Sequence, residues 1–238
     1  MPKTSTKNKV AIIIPAYNEG MVIKKVVSDL SIAFQKSNYI YDIIVINDGS
    51  KDSTNDEAQA GGAIVINHII NQGAGGATST GLRYAYKNSY ATVATMDADG
   101  QHDPEDVLKC IDKLKELKAD LVIGSRLVDT KGMSRTKIIG NKGLSFITWL
   151  LFGVSVTDSQ SGLRVLSRKA LAVLEWKSTG YEFCSEMLWR AKQSKLKIIE
   201  VPIKAIYTDY SKSKGQNNWN AIHIIKSLIR RRIVEFFE

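Results

Sequence analysis

Two aspartates one residue apart, Asp97 and Asp99, close an apolar stretch, 90–96, that predicts a buried strand. Carboxylate oxygens at this spacing form a compact, hard donor set of the kind that Mg²⁺ or Mn²⁺ prefers, with substrate phosphates completing the coordination. Ligands of open α/β sheets bind beyond the carboxyl ends of the strands. The motif is also common as a cap or a solvated pair, so its meaning depends on what the other strands carry at their ends.

Two other predicted strands also end in polar residues. The strand 9–15 runs into Glu19, and the strand 41–46 ends at Asp48 in an Asn-Asp-Gly-Ser turn. A carboxylate such as Asp48 can accept the ring N–H donors of uracil or guanine, and Glu19 can meet a ribose hydroxyl or a base edge. Taken singly, these residues also suit a turn and a helix cap. Three such strand ends around one crevice favour a nucleotide site.

The glycine-rich stretch 71–76 differs from the known phosphate-binding fingerprints. It lacks the Gly-x-Gly-x-x-Gly order after the first strand, and no Gly-Lys-Ser/Thr follows it, so dinucleotide and P-loop interpretations are both rejected. We predict that its small residues let a helix begin close to the nucleotide and sugar, with Asn71 pointing inward.

Strands and helices alternate as far as Gly124, which predicts the α/β class with a mainly parallel sheet and right-handed crossovers. The predicted strands are 9–15, 41–46, 63–67, 91–96 and 120–123, and the helices are 20–36, 53–60, 71–88 and one that Asp103 caps. Beyond Gly124 the alternation ends. The patterns there predict a polar, basic stretch at 126–143, a core or membrane-interface helix at 144–156, helices at 170–176 and 183–192, a strand at 197–202 and a basic amphipathic helix at 220–237.

The net charge of +9 over 238 residues points to an anionic partner, namely phosphates, a membrane surface or nucleic acid. No nucleic-acid recognition motif accompanies the charge, so we expect no nucleic-acid partner. Cys110 and Cys184 lie far apart and predict buried thiols in a reduced, cytoplasmic protein. The polar N-terminal stretch 1–9 predicts no secretory signal, and no segment reaches the roughly 18 apolar residues of a membrane-spanning helix.

In their order along the chain, the motifs resemble those of family 2 glycosyltransferases of GT-A fold, in particular the dolichyl- and polyprenyl-phosphate sugar synthases. The matching segments are 15–19 (PAYNE), 47–54 (NDGSKDST), 71–77, 96–104 (MDADGQHDP), 124–126, 157–164 (TDSQSGLR), 181–186 and 200–203. Asn47 departs from the pattern, since many relatives have a second aspartate there. The resemblance implies a GT-A, Rossmann-like nucleotide-sugar transferase domain over 1–215, followed by a basic amphipathic, membrane-proximal helix over 216–238.

The resemblance also implies individual roles. Asp97 and Asp99 would bind the divalent ion, Mn²⁺ or Mg²⁺, and the donor diphosphate, with Gln101 as a third ligand. The residues expected around the nucleoside are Pro15, Tyr17, Glu19, Asp48, Asn71 and Gly76. Asp158 would lie near the sugar and the acceptor. The cations expected at the acceptor phosphate are Arg126, Arg135 and Lys137, and those on a loop that closes over the donor are Lys212 and Lys214.

The resemblance implies inversion of the anomeric centre, because in this family the acceptor oxygen attacks in line as the nucleoside diphosphate leaves. A sugar hydroxyl needs a general base, whereas a polyprenyl phosphate oxygen is already anionic and needs positive charge instead. The cations of 126–142 therefore favour lipid phosphate, with Asp158 orienting rather than acting as a base. We expect transfer of a hexose or N-acetylhexosamine from UDP-glucose or UDP-N-acetylglucosamine, ahead of GDP-mannose, to undecaprenyl phosphate, giving a lipid-linked donor for cell-envelope glycans.

The terminal helix predicts peripheral binding to an anionic membrane on its cytoplasmic face, because Lys226 and 230–232 lie beside regularly spaced apolar residues. Relatives often carry spanning helices beyond this point, so a small membrane-anchoring subunit, a truncated chain and a homo-oligomer stay open, as does a helix simply packed on the domain. Two other functions also stay open. They are a soluble glycosyltransferase that extends a saccharide, which requires a carboxylate base, and an inactive nucleotide-sugar-binding subunit, against which the intact Asp97 and Asp99 argue.

Overall fold

The computed structural model of the chain describes residues 9–130, 133–206, 210 and 218–237, with side chains from 224 to 234 in the last range. Within these residues, one seven-stranded sheet has the strand order β3-β2-β1-β4-β6-β5-β7. Its strands are β1 Lys9–Ala16, β2 Ile40–Asn47, β3 Ile64–Asn67, β4 Thr92–Thr95, β5 Leu121–Ser125, β6 Arg164–Ser167 and β7 Ile198–Pro202. Strands β1 to β4 pair in parallel, β6 runs antiparallel to β4 and β5, and β7 is parallel to β5. The predicted α/β class with a mainly parallel sheet is confirmed.

Helices cover both faces of this sheet. Those of the described residues are α1 Ile23–Gln35, α2 Thr54–Ala60, α3 Gly73–Lys87, α4 Pro104–Glu116, α5 Arg135–Phe152, α6 Arg168–Val173, α7 Phe183–Gln193 and α8 Asn218–Phe237. Strand β1 shows why two layers form. Ala11 and Ile13 pack into the core beside α3, whereas Ile12 and Ile14 pack into the core beside α1 and α4, as the two-residue repeat of a strand requires.

The region after β5 departs most from the sequence patterns. They predict no strand at 164–167, yet β6 lies there between β4 and β5. This strand has only four residues and begins with Arg164, whose buried guanidinium interrupts any apolar pattern. Short strands that begin with a charged residue give periodicity too little to detect.

Helix α5 corrects a second prediction. The stretch 126–143, predicted only as polar and basic, includes the first half of α5. The predicted helix 144–156 therefore starts nine residues after the observed start at Arg135 and ends four residues after the observed end at Phe152. Ser134 caps the helix by accepting a hydrogen bond from the Lys137 N–H, and Gly153 ends it in the left-handed region with a φ of 65°. The pattern was hidden because α5 exposes apolar side chains such as Phe146 as well as cations.

The terminal helix was predicted over 220–237, and α8 confirms it. Ile224 and Leu228 are buried in the same core cluster as residues of α3 and α7, so α8 packs on the rest of the domain. Among the described residues, no helix is both long and apolar enough to span a bilayer. Cys110 and Cys184 are buried, unpaired thiols, as predicted.

Candidate active site

The loops that follow β1 and β2 are joined by hydrogen bonds. The Asn18 N–H donates to Ser50 Oγ over 2.9 Å, and the Lys51 N–H donates to Asn18 Oδ1 over 2.9 Å. The Glu19 N–H donates to Thr54 Oγ1 over 2.8 Å. Two of the three predicted strand ends therefore form one continuous wall.

Asp48, just after β2, is buried and holds the start of α3. Its Oδ1 accepts the Gln72 N–H and its Oδ2 accepts the Gly73 N–H, each over 2.8 Å. His68 Nδ1 lies 2.7 Å from the same Oδ1, and the other ring nitrogen lies 3.0 Å from Thr80 Oγ1. The carboxylate thus organises the glycine-rich turn, and its contact with a nucleoside base stays a prediction.

Asn47, the residue that departs from the family pattern, has a structural role at the ends of two strands. Its Nδ2 donates to Asn67 Oδ1 over 2.7 Å, which joins the ends of β2 and β3. Its Oδ1 accepts the Ser50 N–H over 3.1 Å. An aspartate could keep both contacts if the Asn67 amide turned to donate its own Nδ2, so the departure is compatible with the same local structure.

The glycine segment, 73–76, lies against a loop that we name the clamp loop, 176–180. A Cβ on Gly75 would lie 2.4 Å from the Ser178 carbonyl oxygen, and the Gly75 N–H donates to the Thr179 carbonyl over 2.7 Å. Real Cβ atoms do not approach so closely, so glycine is required. The close approach that the structure shows is between two backbones, and approach to a nucleotide and sugar stays a prediction.

The other members of the predicted nucleoside set lie at the end of β1 or near the start of α3. Pro15 is the penultimate residue of β1, and Tyr17, just beyond the strand, is 43% exposed. Asn71 was predicted to point inward, but it is exposed, because its Oδ1 accepts the Gly73 N–H over 3.1 Å in the turn itself. Gly76 is half-buried in the first turn of α3. Their binding roles stay predictions.

Tyr210 is a residue for which the sequence suggested no role. Its hydroxyl donates to Glu19 Oε2 over 2.7 Å, at the mouth of the predicted nucleotide site. The loop cations Lys212 and Lys214, predicted to cover the donor, lie outside the described residues. No local signal marks Tyr210, because its partner lies 191 residues away along the chain.

The two aspartates predicted to bind metal follow β4 and are held in different ways. The Asp97 side chain is 47% exposed, and His102 Nε2, from a ring that is 1% exposed, lies 3.3 Å from Asp97 Oδ2. A Cβ on Gly162 would lie 2.2 Å from that oxygen, so the chain at Gly162 presses directly against the carboxylate. Asp99 Oδ1 accepts the Gln101 N–H over 3.0 Å.

The same two carboxylates have opposite pKa shifts. Burial raises the pKa of Asp99 to about 6, and the negative charge of Asp97 adds to the rise. Burial acts in the same direction on Asp97, but its hydrogen bond with His102 and the charges of Arg126 and Arg164 hold its pKa below the ordinary value. Two mutually repelling carboxylates favour a bound cation, since the cation relieves that repulsion.

This donor set fits a hard divalent ion. Among the described residues, no further histidine, cysteine, aspartate or glutamate joins Asp97 and Asp99 to make a group of three metal-binding side chains. Mg²⁺ and Mn²⁺ sites of the two-carboxylate kind take their other ligands from water and substrate phosphates. Gln101, the predicted third ligand, follows in the same turn, with its backbone N–H bonded to Asp99.

Asp158 and Arg126, 32 residues apart in sequence, form a bidentate ion pair. Arg126 Nε donates to Asp158 Oδ2 over 2.8 Å and Nη2 donates to Oδ1 over 2.9 Å. The Asp158 side chain is fully buried, whereas that of Arg126 is 15% exposed. Paired hydrogen bonds of this kind fix the plane of a guanidinium. The geometry suits an orienting carboxylate, and both catalytic roles stay predictions.

We name the segment 157–163, which leads into β6, the Asp158 loop. Glu200 of β7 holds its beginning, since Glu200 Oε1 accepts the N–H and the hydroxyl of Thr157 over 2.8 and 2.7 Å. The fully buried guanidinium of Arg164 holds its middle by donating to the carbonyl oxygens of Ser159 and Ser161 over 2.8 and 3.1 Å. Both residues belong to motifs of the family resemblance, but their spacing gave no sign of these contacts.

The remaining predicted acceptor cations lie on the first turn of α5, where Arg135 is exposed and Lys137 is half-buried. Further along this helix, Lys142 lines a cleft of about 410 Å³ that reaches Thr157, next to Asp158. Its other walls are half apolar, with Leu127, Phe146, Trp149 and Val156, and half hydroxyl-bearing, with Ser145, Ser155 and Thr157. A cleft with both apolar and polar walls and a cation at one side suits an amphiphilic anion.

Sheet order, strand-end loops and paired carboxylates together define a glycosyltransferase of GT-A fold. Residues 11–174 match the model of glycosyl transferase family 2, and the chain belongs to that family. A UDP-N-acetylglucosamine–dolichyl-phosphate N-acetylglucosaminyltransferase of Methanococcus voltae is 46% identical over 229 residues, covering 87% of this chain and 89% of its own length. An undecaprenyl-phosphate mannosyltransferase of Micrococcus luteus is 31% identical over 218 residues, covering 87% of each chain. The resemblance inferred from the sequence is confirmed.

A solved structure gives the same fold. Glucosyl-3-phosphoglycerate synthase from Mycobacterium tuberculosis, crystallised with Mn²⁺, UDP-glucose and phosphoglyceric acid, superimposes with a TM-score of 0.71. The match covers 93% of this chain and 77% of that one at 21% sequence identity. At this identity the likeness establishes the GT-A fold, and the substrates of that enzyme are not carried over to this chain.

Proposed function

We propose that the protein is a metal-dependent, inverting glycosyltransferase that moves a sugar from a UDP-sugar to a polyprenyl phosphate at the cytoplasmic face of the membrane. One observation carries the proposal. The Asp158 loop contacts both halves of the site, because Gly162 presses against the Asp97 carboxylate while Asp158 holds the Arg126 guanidinium. One loop therefore links Arg126, the proposed cation for the acceptor, to Asp97, a proposed metal ligand.

On the donor side, Asp97 and Asp99 would hold Mn²⁺ or Mg²⁺, with Gln101 as a third ligand. When bound, such an ion neutralises charge on the departing nucleoside diphosphate. The chain's own contribution is orientation, since His102 and Gly162 fix the Asp97 carboxylate from two sides. The wall built from the loops after β1 and β2 would receive the nucleoside.

On the acceptor side, the reaction needs positive charge more than a base. A phosphate monoester oxygen is anionic at neutral pH and attacks the anomeric carbon directly, so no proton has to be removed. Arg126, whose guanidinium Asp158 orients, would bind that phosphate, and the cleft beside Lys142 would receive the first part of the lipid. Both oxygens of Asp158 are engaged by the guanidinium, which supports an orienting carboxylate over a catalytic base.

The names of the relatives support the acceptor class and rank the sugars. The two relatives described above are named for transfer to dolichyl phosphate and to undecaprenyl phosphate. The one at 46% identity is named for N-acetylglucosamine and the one at 31% for mannose. The names therefore place UDP-N-acetylglucosamine first. UDP-glucose stays ahead of GDP-mannose only because the sequence resemblance favours UDP-sugars, and the proposed product is a lipid-linked sugar for envelope glycans.

Exposed apolar and basic side chains on α5 and α8 support peripheral membrane binding. The two helices pack against each other. We name as the basic apolar face the exposed side chains Phe146, Trp149 and Leu150 of α5 with Lys226, Ile229, Arg230 and Ile233 of α8. Aromatic and aliphatic side chains enter the lipid headgroup region while neighbouring cations attract an anionic leaflet. The cleft at Lys142 lies on the same helix, which brings the proposed lipid site next to the bilayer.

The deciding experiment is a transfer screen. Purified protein with Mn²⁺ is supplied with labelled UDP-N-acetylglucosamine, UDP-glucose or GDP-mannose, and with undecaprenyl phosphate, dolichyl phosphate or a soluble oligosaccharide as acceptor. We expect a labelled product that extracts into organic solvent with at least one lipid phosphate and is absent from Asp99→Asn protein. Label appearing on the oligosaccharide alone would instead establish the saccharide-extending alternative.

A further inference from the structure

Glu186, in the first turn of α7, is a fully buried carboxylate that the proposed reaction does not use. Its Oε2 accepts the N–H and the hydroxyl of Ser178 over 2.9 and 2.5 Å, and its Oε1 accepts the Lys177 N–H over 3.1 Å. Burial raises its pKa, but the hydrogen bonds from Ser178 and Lys177 and the charge of Arg231 outweigh burial and hold the pKa below the ordinary value. Glu186 is therefore an anion that organises the clamp loop.

Arg231 of α8 supplies positive charge to this anion. Its Nε lies 3.3 Å from Glu186 Oε1, and its side chain is only 14% exposed. Arg190 Nη2, on α7 itself, lies 3.6 Å from the same oxygen. The neighbouring cation Arg230 is exposed, so one member of the terminal basic cluster is committed to the protein interior rather than to solvent.

The clamp loop in turn supports the glycine segment of the donor site. Besides the bond from the Gly75 N–H to Thr179, Trp176 Nε1 donates to the Gly75 carbonyl over 3.1 Å. The Trp176 ring also packs on Phe183, with ring centroids 5.5 Å apart. The glycine segment is thus held between Asp48 on one side and the clamp loop on the other.

We propose that Glu186 is a positioning residue for the donor site and that Arg231 couples it to the terminal helix. The inference rests on the proposed function in that the glycine segment borders the nucleotide. Loss of either charge loosens the clamp loop, and with it the backbone of 73–76. The affinity for a nucleoside diphosphate then falls although neither side chain reaches the nucleotide. A helix that carries part of the basic apolar face is in this way linked to donor binding.

The test compares Arg231→Ala, Glu186→Gln and the double variant with the matched control Arg230→Ala. Calorimetry measures the binding of UDP, and separately GDP, each with Mn²⁺, and hydrogen exchange measures the amides of 73–76 without any ligand. We expect about three- to tenfold weaker binding of the preferred nucleotide in each single variant. The double variant should lose no more nucleotide affinity than the more strongly affected single variant, because the two residues act as a pair. Exchange at 73–76 should accelerate in all three and stay unchanged in Arg230→Ala.

Several outcomes would overturn the inference. Unchanged nucleotide affinity and unchanged exchange in folded Arg231→Ala protein would refute the coupling. This variant lies on the terminal helix and therefore still tests the inference if Glu186→Gln does not fold. Additive losses in the double variant would show two independent effects. Faster exchange throughout the sheet would indicate global destabilisation rather than positioning. Wild-type protein that binds neither UDP nor GDP would contradict the proposed donor instead, and the ligand-free exchange measurement would still decide the inference.

Discussion

The donor half and the acceptor half of the site are built on different principles. In the donor half, loops that follow the parallel strands β1 and β2 bond to each other directly, and each predicted polar residue stands at a strand end. In the acceptor half, Arg126 meets Asp158 across 32 residues and Thr157 meets Glu200 across 43 residues, around an antiparallel strand. Contacts in the donor half span similar separations, since Asn18 meets Ser50 across 32 residues. What differs is that these loops follow strands that the sequence pattern predicts, whereas the acceptor half surrounds β6, which the pattern does not predict.

The largest effect tests the donor half. Asp97→Asn or Asp99→Asn removes half of the carboxylate pair, and we expect transfer to fall by at least about 10³-fold because charge on the leaving diphosphate is no longer neutralised. The measurement is transfer rate beside far-UV circular dichroism, which should show an intact fold. Chelation of the wild type with EDTA should give the same loss, and Mn²⁺ or Mg²⁺ should reverse it. Full turnover in chelator would refute the metal assignment.

A second substitution tests whether the two halves share a part. Gly162→Ala places a methyl carbon 2.2 Å from Asp97 Oδ2, which is too close, so the carboxylate has to move. A displacement of about 1 Å at a reacting centre costs roughly 100-fold in rate. The matched control is Gly143→Ala on α5, where an added Cβ meets nothing within 4 Å. Equal rates for the two variants would mean that the Asp158 loop does not position Asp97.

The third prediction concerns the basic apolar face. Reversing the exposed cations Lys226 and Arg230 to glutamate should weaken sedimentation with anionic vesicles by at least about 30-fold, at about 1 kcal/mol for each cation near the leaflet. Nucleotide affinity should not change, because neither side chain contacts the clamp loop. Binding of the wild type should also fall as salt rises, since exposed charges are screened within about 8 Å at physiological ionic strength.

Phosphatidylcholine vesicles serve as the neutral control for that measurement. Wild-type protein that ignores anionic vesicles at low salt would contradict peripheral binding by this face. Reversing the charge of all three arginines at 230–232 would also disturb the fold. Arg231 contacts Glu186, and the Arg232 guanidinium lies over the Trp189 ring, 5.7 Å from its centroid.

The smallest effect tests the acceptor half. Arg126→Ala should weaken use of undecaprenyl phosphate about tenfold, the worth of a hydrogen bond to a charged group. Donor affinity measured by calorimetry should change less. The variant leaves Asp158 buried without its guanidinium, so a lower melting temperature is expected, and Arg126→Lys controls for charge without the planar contact. An equal loss of donor and acceptor binding would place Arg126 on the donor side.

The features that the sequence predicted lie mainly in the donor half, and those that it did not predict lie mainly in the acceptor half. The strands β1, β2 and β4, and the Asp103 cap, whose Oδ1 accepts the Glu105 N–H over 3.0 Å, were predicted because capping and periodicity are local signals. Strand β6, the start of α5, and the roles of Glu200 and Arg164 were not predicted. Strand β6 and the roles of Glu200 and Arg164 depend on partners brought near only by the completed fold, which spacing along the chain does not record. The start of α5 has a local cap, Ser134, but the mixed apolar and basic pattern after it hid the helix.

The double attachment of the Asp158 loop limits how this enzyme can diversify. Only three residues separate Asp158, which pairs with the proposed acceptor cation Arg126, from Gly162, which abuts the proposed metal ligand Asp97. A change of acceptor made in this loop would also disturb the metal site, so new acceptor preferences are more readily obtained on the exposed side of α5. Phe146 and Trp149, at 57% and 49% exposure, are the first positions to vary in a directed search for new acceptors.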